Sequence, residues 1–139
     1  MNRVAADDAR FATSGINYGL FCATPGVPLS RAIGRKRALE MLLTGEFIGA
    51  QTALDWGLVN RVVPAHELDA AVETLARTLL AKPPAALASG KRFFYRQIEQ
   101  GMAQAYEEAA AVITSHMLAD EALEGVSAFM AKRKPSWQS

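Results

Sequence analysis

Residues 44–64, TGEFIGAQTALDWGLVNRVVP, constrain the fold more than any other part of the chain. They string together a helix stop, a loop, a short helix, a glycine cap and a strand. Gly45 ends a helix over Arg35–Thr44, because glycine enters the left-handed conformation that closes a helix without steric cost. Residues 50–56 make two further turns, and Gly57 caps them. Leu58-Val59-Asn60-Arg61-Val62-Val63 then supplies the β-branched residues of a strand, which Pro64 terminates.

Elsewhere the sequence holds no internal repeat, low-complexity segment or charge block. The one organisational break is expected near Lys82-Pro83-Pro84, dividing the chain into 1–82 and 83–139. Before it, residues 67–81 place Leu68, Val72, Leu75, Ala76 and Leu79 on one helical stripe. Pro84 suits the first turn of a new helix, where its missing N–H costs nothing, and that helix is predicted to run through Leu87 and Phe94 to Ile98. Gly101 begins another connection. Met102, Tyr106, Ala109, Ile113 and Met117 recur at helical spacing, and Asp120 is the expected N-cap of a last helix carrying Ala122, Val126 and Phe129. Stripes of this kind ordinarily face a core.

Composition narrows the function by exclusion. A formal charge of +1 over 139 residues argues against nucleic acid as a partner, since such domains concentrate an excess of Lys and Arg. No apolar run is long enough to span a bilayer, so no membrane is expected. The first residues lack the basic-then-apolar order of a secretory signal, and a reducing, cytoplasmic setting is the expectation. Cys22 is the only cysteine, which excludes an intrachain disulfide and a cysteine metal cluster. His66 and His116 have no second ligand at a metal spacing such as H-E-x-x-H. Glu107-Glu108 and the pair Glu121 and Glu124 are close in sequence, but adjacent residues face different ways on a helix.

Thr44, Gly45, Ile48, Ala50, Ala53, Gly57, Leu58 and Val59 match a TG-x-x-I-x-A-x-x-A-x-x-x-G-LV run. With Ala9-Arg10-Phe11-Ala12 and Gly19 upstream, and Glu124-Gly125-Val126-Ser127-Ala128-Phe129 and Lys132-Arg133-Lys134-Pro135 downstream, the chain resembles the crotonase, or enoyl-CoA hydratase/isomerase, superfamily. The resemblance covers nearly the whole sequence. It implies an α/β fold, mostly helical here: the C-terminal part of a ββα spiral over 1–82, followed by a helical oligomerisation region. Members are about twice this length, within the usual range for one domain, so the chain resembles a C-terminal half. The other half would hold most of the spiral, both backbone donors to the thioester carbonyl and the first of two catalytic glutamates. Such donors are usually the largest catalytic contribution.

The same resemblance places the second catalytic glutamate at Gly15. Hydration needs two carboxylates, one to activate water and one to relay a proton to the α-carbon, and glycine does neither. Read as a strand, residues 13–18 would put Thr13 and Asn17 on the face of Gly15, with Ser14 and Tyr18 opposite. Asn17 is the weak substitute: it can orient a water or bond a substrate but is no base near neutral pH. Leu20 and Phe21 open an apolar loop, 20–28, and are candidates for an acyl pocket or for ordinary core packing. The register there departs from the family by a one-residue gap.

Lys132-Arg133-Lys134 follows the last helix, where cations complement the partial negative charge of a helix C-terminus. The resemblance adds a second role, with Phe129 and Lys132 matching an aromatic and a basic residue that meet coenzyme A. An ammonium is a suitable point-charge partner for phosphate. The implied partners are an acyl-CoA thioester and further copies of the chain, as a trimer or hexamer. Coenzyme A enters as part of the substrate, and no separate cofactor is expected. Three functions follow: an acyl-CoA enzyme with doubtful hydratase activity, a non-catalytic acyl-CoA-binding or oligomerising relative, or a partner-binding helical module.

Overall fold

A computed structural model describes residues 3–138. Two compact units share them, one ending at Thr74 and the other beginning at Leu75. The first unit opens with two short strands, β1 (Val4–Ala6) and β2 (Arg10–Phe11), and a 3-10 helix over Ser14–Tyr18. Next come α1 (Ala23–Ala32), α2 (Arg35–Thr44), β3 (Ile48–Gly49), α3 (Ala50–Asp55) and β4 (Arg61–Val63). Strand β1 pairs in parallel with β4, Ala5 opposite Val62, while β2 pairs antiparallel with β3, Phe11 opposite Ile48. A parallel pair requires a long crossover, and here α1, α2 and α3 lie within that connection.

Helix α2 shows how the pattern becomes packing. Ala38, Met41 and Leu42 fall on one face and are buried with Leu29 and Ile33 of the α1 segment. Ala5, Ala53 and Val59 form a second buried cluster, and Phe11, Ile48 and Leu58 pack against both, which joins them into one core. Gly45 closes α2 with φ 64°, its N–H donating to the Met41 carbonyl at 3.1 Å.

The strand expected over residues 58–63 is shorter, and hydrogen bonding explains why. The N–H groups of Leu58 and Val59 both turn back to the Ala53 carbonyl, at 2.8 and 3.3 Å, closing the end of α3. Those two residues are therefore unavailable to a ladder, and regular pairing begins at Arg61. The loop expected over residues 20–28 is also corrected, because α1 starts at Ala23 and carries Pro28 inside it. Proline at that position forfeits one helical bond, and burial of Gly26 and Leu29 favours the helix nonetheless.

After a 3-10 turn at Ala65–Glu67, α4 (Leu68–Leu80) runs up to the prolines. Helix α5 (Pro84–Gln97) starts with proline in its first turn, and α6 (Met102–Met117) and α7 (Asp120–Met130) follow. Asp120 is the first helical residue rather than the cap; Ala119, with φ −80° and ψ 146°, holds that place. As a first-turn carboxylate Asp120 still favours the helix electrostatically.

The second unit buries little of its own apolar surface. Among its described residues only Ala128 is a buried hydrophobic. The stripe of α6 faces outward, with Met102, Tyr106, Ile113 and Met117 between 56 and 74% exposed. The periodicity is helical as expected, but within one chain it is not a core face.

Candidate functional site

The segment that decides the chemistry is the 3-10 helix Ser14–Tyr18 and the turn after it. Strand alternation does not apply to these residues. The N–H of Gly19 donates to the Ile16 carbonyl at 3.1 Å, and that of Leu20 to the Gly15 carbonyl at 3.0 Å, so the chain coils back on itself. Gly19, at φ 77°, supplies the left-handed residue that ends the coil. Thr13, just before it, donates its hydroxyl to the Met41 carbonyl at 2.8 Å, which ties the segment to α2.

Gly15 sits at the centre of this turn. Its N–H donates to the Cys22 Sγ at 3.2 Å. A Cβ built at residue 15 would stand 2.6 Å from that sulfur and 2.8 Å from the Leu20 carbonyl oxygen. The second contact is with backbone and is not relieved by rotating a side chain. In this conformation residue 15 has no room for any side chain, a carboxylate-bearing one included.

The other sequence candidates are dispersed around this turn. Asn17 is exposed, and its amide group lies against the end of α2, within 3.1 Å of the position a Gly45 Cβ would take. Leu20 and Phe21 are 67% and 52% exposed. A cleft of about 340 Å3 in this unit is lined by Arg3, Arg10, Thr13, Pro25 and Met41 among others, without Leu20 or Phe21. Arg10 at its edge stacks over the Phe47 ring, 4.7 Å from the centroid.

In the second unit, Phe129 is 82% exposed near the end of α7. Lys132 has φ 51°, a left-handed conformation uncommon outside glycine, and its N–H donates to the Phe129 carbonyl at 3.1 Å. Arg133 does not simply extend a solvated helix end. Its guanidinium donates to both carboxylate oxygens of Glu124, at 2.7 and 2.8 Å, and the Ser136 N–H adds a third bond at 2.8 Å. The Arg133 guanidinium first, and the Ser136 N–H second, hold the Glu124 carboxyl down to about 2. The tail after α7 is thereby tied to that helix, with the Trp137 ring over Gly125.

Three further titratable groups have partners close by in the fold. His66 lies 3.6 Å from Glu67 and is exposed. Glu108 pairs with Arg96 and accepts from the Gln100 amide at 2.8 Å. His116 Nε2 meets the Ser89 hydroxyl at 2.8 Å. No group of three or more metal-ligating His, Cys, Asp or Glu side chains occurs among the described residues. No described helix is long and apolar enough to cross a membrane.

Sequence reasoning missed two of these features. The contact of Cys22 with Gly15 carries no pattern signal. The Ser89–His116 pair spans 27 residues, a separation that no local motif reveals.

These elements define a mostly helical α/β unit of the crotonase fold. The solved structure of an enoyl-CoA hydratase from Mycobacterium smegmatis superposes with a TM-score of 0.96 at 54% identity, over 99% of this chain and 54% of that one. The chain belongs to the enoyl-CoA hydratase/isomerase family, whose sequence model matches residues 2–139. Among its relatives, the mouse enoyl-CoA hydratase domain-containing protein 3, mitochondrial, is 45% identical over 134 residues, 96% of this chain and 45% of that protein. A carnitinyl-CoA dehydratase from Escherichia coli is 34% identical over 97% of this chain and 54% of its own length. The chain thus spans about half the length of the relatives it matches. The cytoplasmic expectation is corrected by these comparisons, because the mouse, Xenopus laevis and human relatives are named as mitochondrial proteins.

Proposed function

We propose that this chain is the acyl-CoA-handling C-terminal half of an enoyl-CoA hydratase/isomerase family protein and that it adds water to enoyl thioesters weakly or not at all. The observation that carries the reading is the closed turn at Gly15, where a Cβ would meet Cys22 Sγ at 2.6 Å. The family resemblance assigns this position to a catalytic glutamate. A group that relays a proton must be present and positioned, and the turn leaves no volume for one. Phe129 and Lys132 are proposed to meet the adenine and phosphates of coenzyme A, which enters as part of the thioester; the chemistry calls for no other cofactor. Asn17 is the remaining polar group proposed near the thioester, as a hydrogen-bonding residue and not a base. Leu20 and Phe21, both exposed in one chain, are proposed as acyl-chain contacts.

The exposed α6 stripe favours a second element of this function, self-association. Four large apolar side chains are more than half exposed at helical spacing on this one helix, and aligned apolar surface of this kind marks an interaction face. Copies of this chain, as a trimer or hexamer, are the proposed partner.

Crotonyl-CoA titration tests the reading. Binding with turnover no faster than the buffer blank supports it, and rapid hydration refutes it. Tight self-association with no acyl-CoA binding would leave the helical interaction module instead.

A further inference from the structure

A second cavity, of about 410 Å3, opens in the helical unit. That volume lies within the range of small-molecule sites, about 300–1,000 Å3. Its apolar wall is built from short side chains, Ala85, Ala86, Ala88, Ala119 and Ala122, and the one aromatic ring in the lining is the His116 imidazole. A wall of methyl groups suits a narrow alkyl chain.

The polar side of the cavity is specific in charge. Ser89 and His116, on facing helices α5 and α6, satisfy each other at 2.8 Å. The Glu121 carboxylate accepts the N–H groups of Ala85 and Ala86, each at 3.3 Å. That carboxylate is opposed by the positive start of α5. Arg92, one turn beyond Ser89 and also on the cavity wall, has no hydrogen-bond or ion-pair partner among the described residues. The cleft therefore presents one exposed cation without an ion-pair partner beside a hydrogen-bonding pair and an alkyl-shaped wall. A fork of guanidinium donors matches a carboxylate in plane.

We propose that this cleft binds a small aliphatic monocarboxylate, its carboxylate on Arg92 beside the Ser89–His116 pair and its chain along the alanine wall. Phe129 and Lys132 are not among its lining residues, and it does not rest on the acyl-CoA reading. It requires no covalent step.

The test is calorimetric titration of the full chain with butanoate, pentanoate and hexanoate, with the His116 imidazole followed by NMR. Saturable binding is expected, tightening about fourfold per methylene, with the imidazole resonances moving at saturation. Arg92→Ala should weaken hexanoate at least tenfold with an unchanged circular dichroism spectrum, and Arg92→Lys should retain part of the affinity. Three results would overturn the proposal: no saturable binding, hexylammonium binding as tightly as hexanoate, or full affinity in Arg92→Ala. Self-association that excludes hexanoate from the cleft would overturn it equally.

Discussion

Replacing Gly15 by alanine adds a single methyl group where the structure has least space for one. The backbone at this position is not left-handed, so the substitution introduces no φ strain and its cost is steric. Contacts of 2.6 Å to Cys22 Sγ and 2.8 Å to the Leu20 oxygen force the turn to open. Overpacking of this kind costs about 1–3 kcal/mol. Because one contact is with a backbone oxygen, the upper part of that range, about 2–3 kcal/mol, applies; ordering of the unfolded chain by alanine returns about 0.4–1 kcal/mol, leaving a net loss of about 1–2.6 kcal/mol. At about 2–4 °C per kcal/mol, the midpoint should fall by about 2–10 °C. Thermal unfolding measures the loss, and the rate of Cys22 alkylation reports whether the turn has opened, since the half-buried thiol should label faster. Gly90→Ala is the internal control: it lies inside α5 with no heavy atom within 4 Å of its added Cβ and should gain about 1 kcal/mol. A Gly15→Ala variant as stable as the parent, with unchanged thiol reactivity, would refute the closed-turn argument.

Three further outcomes are expected. Gly15→Glu should not restore crotonyl-CoA hydration, because the carboxylate has nowhere to stand; turnover well above the blank would count against that. Glu124 is held at about 2 against an ordinary 4.5, so its contribution to holding the tail is full above about 4.5 and disappears as pH falls through about 2. Trp137 fluorescence should therefore change in that acid window in the parent and not in Glu124→Gln, whereas identical profiles would contradict the clasp. Lys132→Gly relieves a left-handed residue at φ 51° and should raise stability by about 1 kcal/mol, while weakening acyl-CoA binding if its ammonium meets phosphate; tighter binding would sink that role.

Much of the fold was legible because local chemistry and tertiary packing agree. Gly45 and Gly57 stop their helices with φ 64° and 81°, as the glycines after residues 44 and 56 suggest, and Pro84 starts α5. Errors arose where backbone bonding overrode a pattern. Leu58 and Val59 have strand-like neighbours, yet their N–H groups close α3. Strand alternation fits residues 14–18 as a pattern, yet they coil into a 3-10 helix whose end depends on Gly19. Pro25 and Pro28 marked a loop in sequence, but both lie within α1.

The candidate site was legible in one respect and not in another. That residue 15 is glycine is plain from the sequence. That Cys22 and Leu20 fill the space beside it requires coordinates, because the closure spans seven residues through a sulfur atom and a carbonyl. Arg133 is similar: a basic residue past a helix end gives no hint that Glu124, nine positions earlier, will accept from both of its terminal guanidinium nitrogens.

The most direct measurement mixes the purified chain with crotonyl-CoA, following binding by calorimetry and hydration by loss of enoyl absorbance in the same samples. Saturable binding without hydration above the blank is the predicted result. Hydration within tenfold of an ordinary family enzyme, a barrier difference of only about 1.4 kcal/mol, would contradict the account.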